Sequence, residues 1–90
     1  MIKYEVRVLN DGTKHWFLNG KRHREDGPAV EYSNGRKEWY SNGERHREDG
    51  PAIERNNGTK EWYLNGMQQK PPKPVITTVF DIDSYRFIEL

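Results

Sequence analysis

Apolar and polar residues alternate from the first position. Ile2, Tyr4, Val6 and Val8 share one parity, and Lys3, Glu5 and Arg7 share the other. That period of two predicts a half-buried strand over Met1–Leu9, turned by Asp11-Gly12. Beyond it, short runs rich in Trp, Tyr, Val and Ile are punctuated by glycine. Each of the 8 glycines follows Asn or Asp. Asn-Gly and Asp-Gly favour the positive φ angles of type I′ hairpin turns, so the pattern predicts an all-β chain of short hairpins. No window carries a helical period.

The punctuation repeats. The chain reads WFLNGKRHREDGPA from Trp16, WYSNGERHREDGPA from Trp39 and WYLNGMQQK from Trp62, so two units of period 23 cover Gly12–Asn34 and Gly35–Asn57, and a partial third covers Gly58–Gly66. In Asp26-Gly27-Pro28 and Asp49-Gly50-Pro51 the proline cannot donate to a ladder. Each DGPA therefore predicts a corner between units. If Asn34-Gly35 and Asn42-Gly43 are two-residue turns, Val30 pairs with Trp39, Tyr32 with Lys37, Trp39 with His46, Tyr40 with Arg45 and Glu38 with Arg47. One face then carries Val30, Tyr32, Trp39 and His46, with Trp16 beside His23 and Ile53 beside Trp62. This is the expected core: Trp16, Trp39, Trp62, His23, His46, Val30 and Ile53. The opposite face carries Glu31, Glu38, Tyr40, Arg45 and Arg47. The apolar parity of the first strand fits this register badly, which predicts a bulge or a different turn there.

One domain over residues 1–90 follows: an N-terminal strand (1–11), the repeats (12–66), a Pro-rich spacer (67–74) and a C-terminal segment (75–90). Gln69 takes the place of His23 and His46, as expected of a terminal unit. Val75–Phe80 reads as a strand, and Ser84–Leu90 as a strand or one or two helical turns. The apolar tail residues, among them Val75, Ile76, Val79, Phe80, Ile82, Phe87 and Ile88, are expected to fold back over the Trp face. The predicted architecture is one twisted antiparallel meander sheet of short hairpins, capped by this segment.

Composition narrows the function. Net charge is +1 and aromatics are 12%, which argues against a disordered chain and gives no strong pull toward polyanions. There is no cysteine, hence no disulfide framework or thiolate chemistry. No apolar run approaches a membrane span, and no signal peptide is read. A cytoplasmic protein is expected.

The spacing Trp-x-x-Asn-Gly-x-x-His, with a Gly corner and a closing Asn-Gly, resembles the MORN repeat and its variants over Gly12–Gly66. It departs at the corner, where HREDGPA is longer than that family's His-Gly-x-Gly. The HREDGPA form looks like repeats of tailed-bacteriophage and giant-virus proteins. The resemblance implies stacked β-hairpins, a binding role toward protein or lipid, and a virus-encoded accessory protein acting on a host factor of a defence or regulatory system.

For chemistry, His23 and His46 stand beside Arg24, Glu25, Asp26 and Arg47, Glu48, Asp49. A metal site would use such donors, yet identical recurrence favours a structural histidine. No nucleophile elbow or phosphate loop is present, so no enzyme, no metal and no cofactor is expected. Phe17, Tyr40 and Tyr63 recur one step after each Trp. With Arg22, Arg45, Arg24 and Arg47 they form the candidate binding surface. Tyr and Arg suit binding hot spots, and the mixed charge, with Glu31, Glu38, Glu54 and Glu61 on the same face, suits a protein partner over nucleic acid. Nucleic acid or another phosphate-bearing ligand on the aromatic and Arg face is the alternative.

Overall fold

The computed structural model describes residues 2–72 and 78–89. Among them every regular element is a short strand: β1 Glu5–Val8, β2 Lys14–Leu18, β3 Lys21–Arg22, β4 Val30–Glu31, β5 Lys37–Glu38, β6 Tyr40–Ser41, β7 Glu44–Arg45, β8 Ile53–Glu54, β9 Lys60–Leu64, β10 Met67–Gln69, β11 Thr78–Asp81 and β12 Arg86–Glu89. The principal extents are 60 × 26 × 25 Å. All ladders are antiparallel and run β1-β2-β4-β5-β8-β9-β10, with β3 on β2, and with β6-β7 and β11-β12 as separate pairs.

The strand that carries each Trp serves two neighbours. Before Trp39, β5 lies between β4 and β8; after it, β6 pairs with β7. Trp39 is the hinge: its N–H donates to Ala52 and its carbonyl accepts from His46. Trp16 does the same with Ala29 and His23. The chain thus leaves one ladder, turns in a hairpin, and returns to the first ladder through the HREDGPA corner. The third unit follows this pattern as far as β10, so Met67–Gln69 is the hairpin's return strand rather than spacer.

Two kinds of Asn-Gly turn alternate. Asn19-Gly20, Asn42-Gly43 and Asn65-Gly66 have positive φ at both positions, the type I′ geometry. At Gly12, Gly35 and Gly58 only the glycine is left-handed. There the loop has one more residue: Tyr32 N–H donates to Arg36 and Gly35 N–H to Tyr32, a type I turn closed by a glycine bulge. The side chains of Asp11, Asn34 and Asn57 accept the N–H two residues on and stabilise the wider loop.

The extra residue corrects the expected register. Val30 pairs with Glu38 instead of Trp39, and Glu31 instead of Tyr32 pairs with Lys37; Ile53 pairs with Glu61 instead of Trp62. A one-residue shift moves side chains to the other face. Val30 and Ile53 therefore lie with Glu38, away from the tryptophans. His15, Val30, Glu38, Ile53 and Glu61 form one row across the strands, and Lys14, Glu31, Lys37, Glu54 and Lys60 form an alternating-charge row on the opposite face. The pairings Trp39–His46, Tyr40–Arg45 and Trp16–His23 are observed as expected, whereas no ladder joins Glu38 to Arg47. The first strand does use the wider turn, at Asp11-Gly12, and sets Val6 opposite Trp16.

The core is small. Among the described residues Ala29, Val30, Ala52 and Ile53 are its fully buried apolar members, joined by Thr13, His23 and Glu38. Trp16, Trp39 and Trp62 are half-buried, as is His46, so they are not the buried centre expected of them. The tail pairs with itself. Phe80 and Phe87 sit at 5.3 Å between ring centroids and remain largely exposed, as do Ile82 and Tyr85, instead of covering the Trp face. Ser84–Leu90 is resolved in favour of a strand over Arg86–Glu89; Val75 and Ile76 lie outside the described residues.

Gly27 and Gly50 have ordinary φ angles, and their role is space. A Cβ on Gly50 would come within 2.8 Å of the Arg47 guanidinium carbon, and one on Gly27 within 3.1 Å of that of Arg24. Gly50→Ala should therefore displace Arg47 and destabilise the fold by about 1–2 kcal/mol. Gly27→Ala should lower the melting temperature less, and neither should exceed Arg47→Ala; a thermal melt of the three variants checks the order.

Candidate functional site

Each corner is built on its arginine. The Arg47 guanidinium lies 3.9 Å over the Trp39 ring, and Arg24 lies 4.1 Å over Trp16. Arg47 also donates to the Pro51 carbonyl at 3.1 Å and pairs with Glu54 at 3.3 Å and Asp49 at 3.1 Å. Arg24 repeats this with Pro28 at 3.2 Å, Glu31 at 2.8 Å and Asp26 at 3.2 Å. Both arginines thus belong to the Trp face. Their expected place beside Phe17, Tyr40 and Tyr63 is corrected because the chain leaves its own hairpin after each His, with Arg24 N–H bonded to Tyr40 and Arg47 N–H to Tyr63 of the next unit; that of Glu31 and Glu54 is corrected by the register shift.

Each histidine joins one unit to the next. His23 Nδ1 accepts the Asn42 N–H at 3.0 Å, and His46 Nδ1 accepts the Asn65 N–H at 2.9 Å. These N–H groups belong to left-handed turn residues of the following unit. Flanking backbone bonds complete the joint: Arg24 N–H to Tyr40, Gly43 N–H to Arg22, Arg47 N–H to Tyr63 and Gly66 N–H to Arg45. An accepting Nδ1 places the proton on Nε2, which faces Glu25 at 3.4 Å and Glu48 at 3.5 Å. The imidazole is a structural acceptor here. Among the described residues no group of three or more His, Asp or Glu side chains is placed to hold a metal.

The predicted ring surface is an alternating stack. Arg7 lies over Phe17 at 4.6 Å, Arg22 lies between Phe17 and Tyr40 at 5.7 and 5.8 Å, and Arg45 lies over Tyr63 at 5.5 Å. Beneath it is the buried Glu38 carboxylate. It accepts the Tyr40 hydroxyl at 2.9 Å and Arg45 Nε at 3.4 Å, and pairs with Arg36 at 2.9 Å. Burial alone would raise its pKa, but the Tyr40 hydrogen bond, Arg36 and Arg45 together hold the carboxyl below its ordinary value. Burial, then Glu38, raises the Tyr40 phenol. Phe17, Tyr40 and Tyr63 are half-buried. With Arg22 and Arg45 they share one face as expected, but much of their bonding capacity is spent within the chain.

What the sequence reading did not single out is the hollow between corners. A cleft of about 870 Å³ is walled by both HRED segments, with Trp39 at its base. A second, of about 430 Å³, lies between the second corner and Trp62, Gln69 and Pro72. The carboxylates of Asp26, Glu48 and Asp49 are more than four-fifths exposed at 83%, 84% and 89%, while Arg24 and Arg47 are held below them at 22% and 23%. The recurring Trp and Glu-Asp pairs were the available signal. No family model, curated protein or solved structure matches the chain.

Two outcomes follow. Asn carries its carbonyl oxygen near the position of His Nδ1, so His46→Asn should keep most of the stability. His46→Ala and His46→Gln should each lose about 0.5–1.5 kcal/mol with the acceptor; melting curves of the three separate acceptor loss from lost packing. Because the folded pKa of Glu38 is depressed, its contribution is complete above the ordinary value of 4.5 and is lost as pH falls through the lower folded value. The acid limb of melting temperature against pH should be shallower in Glu38→Gln than in the parent.

Proposed function

We propose that the chain is a non-enzymatic repeat module that binds another protein. The observation that carries this reading is the recurrence of the corner cleft: an aromatic base and outward carboxylates, displayed on successive units of an elongated stack. An extended segment bearing Lys or Arg fits such a surface, since its stems can pack on Trp and its charges meet carboxylates. The MORN-like spacing supports a binding role by analogy alone. If the chain is virus-encoded, as the HREDGPA resemblance suggests, the partner is a host protein met in the host cytoplasm, and the module inhibits it.

Nucleic acid is the weaker reading. Arg24 and Arg47 are occupied by Trp, carbonyl and carboxylate groups, and Arg45 by Glu38. Exposed carboxylates at each corner repel phosphate.

The test is pull-down from host extract with the intact chain and with Glu25→Lys combined with Glu48→Lys. These surface pairs contribute little to stability, so the double variant should melt like the parent. Its affinity for the captured protein should fall by tenfold or more, about 1.4 kcal/mol. Undiminished capture by the folded variant moves the site to the ring face or the tail, and recovery of nucleic acid in place of protein overturns the reading.

A further inference from the structure

The chain contains five Asn-Gly pairs: Asn19-Gly20, Asn34-Gly35, Asn42-Gly43, Asn57-Gly58 and Asn65-Gly66. Glycine offers little steric hindrance to attack by its own backbone nitrogen on the preceding carboxamide. That attack forms a bond between the Gly nitrogen and Asn Cγ and expels the side-chain nitrogen as ammonia. Water then opens the succinimide to aspartate or isoaspartate. The step needs a Gly nitrogen free to move.

Four of the five nitrogens are held. Gly35 N–H donates to Tyr32 at 3.0 Å, Gly58 N–H to Arg55 at 3.0 Å, Gly43 N–H to Arg22 at 2.8 Å and Gly66 N–H to Arg45 at 2.8 Å. The carboxamides of Asn34 and Asn57 are engaged as well, by Arg36 N–H and by Thr59. The N–H groups of Asn42 and Asn65 are pinned by histidine. Asn19-Gly20 is different. The strand in the place of a preceding unit is β1, whose ladder ends at the Glu5–Phe17 pair. Among the described residues nothing accepts the Gly20 N–H, and no atom lies within 4 Å of where its Cβ would be. Both residues are exposed.

We propose that Asn19 is a site of spontaneous succinimide-mediated deamidation, set apart from four chemically equivalent dipeptides by a glycine N–H that nothing among the described residues holds. An isoaspartate there lengthens the backbone inside a two-residue turn. The Leu18–Lys21 pairing cannot survive that change, and Arg22 and His23, which grip the second unit, are displaced with it.

The test is peptide mapping of the full chain by mass spectrometry with fragmentation that distinguishes isoaspartate. It is run over days at mildly alkaline pH, folded and in denaturant. Each site's folded rate is divided by its own rate in denaturant. Asn19 should exceed Asn42 and Asn65 by at least about tenfold, the factor set by roughly 1.4 kcal/mol of local opening. In folded His23→Ala, conversion at Asn42 should rise while that at Asn65 stays unchanged. Equal normalised rates at the three hairpins, or faster conversion elsewhere than at Asn19, overturns the proposal; so does an unchanged Asn42 in the His23 variant.

Discussion

In each full unit one guanidinium does much of the work that a hydrophobic core does in a larger domain. The apolar interior is two alanines, a valine and an isoleucine, too little to define the corners by packing alone. Arg24 and Arg47 fill that role by lying flat on a tryptophan and drawing a carbonyl and two carboxylates around their edges. A planar five-donor group is suited to this, and lysine is not. The glycine of each corner follows as a steric consequence. Trp16 and Trp39 can then remain half-exposed without being loose, because the cation covers one face of each ring.

The all-β class, the period and three of the hairpin pairings were legible in the sequence. Asn-Gly between β-prone runs has a direct conformational meaning, and Trp16–His23, Trp39–His46 and Tyr40–Arg45 follow from the two-residue turns. What was not legible is which Asn-Gly takes the wider loop. The dipeptide at Asn34 is identical to that at Asn42, and the choice rests on a side-chain bond from Asn34 to the Arg36 N–H and on strand pairing around it. That single residue sent Val30 and Ile53 to the opposite face. Arg24 and Arg47 left the ring face for a different reason: the chain departs from its own hairpin after each His and bonds the next unit, so half of the candidate binding arginines were misplaced. The corner clefts stayed hidden because they exist only when successive corners stand side by side. The tail read as a strand over Val75–Phe80 and as a strand or helical turns over Ser84–Leu90, and nothing in it specified where the hairpin would lie.

The histidines show how a side chain can complete a backbone ladder. The type I′ turn of each following unit points one N–H at a place where the neighbouring strand has no carbonyl, and imidazole supplies the missing acceptor. Gln69 holds the same position at the end of the stack and bonds the Met67 carbonyl instead. The cationic and imidazole groups of the joint give way there to Gln68 and Gln69, a neutral edge in keeping with a terminal unit.

The joints also bear on how the chain reaches this structure. His23 meets a residue 19 positions away, and so does His46. Every inter-unit bond closes a loop of similar, modest length, and none waits for the two ends of the chain to find each other. Loop-closure entropy is then nearly the same at each step. Folding can start at any hairpin and spread to its neighbours, at the speed expected of local topology rather than that of a closed barrel.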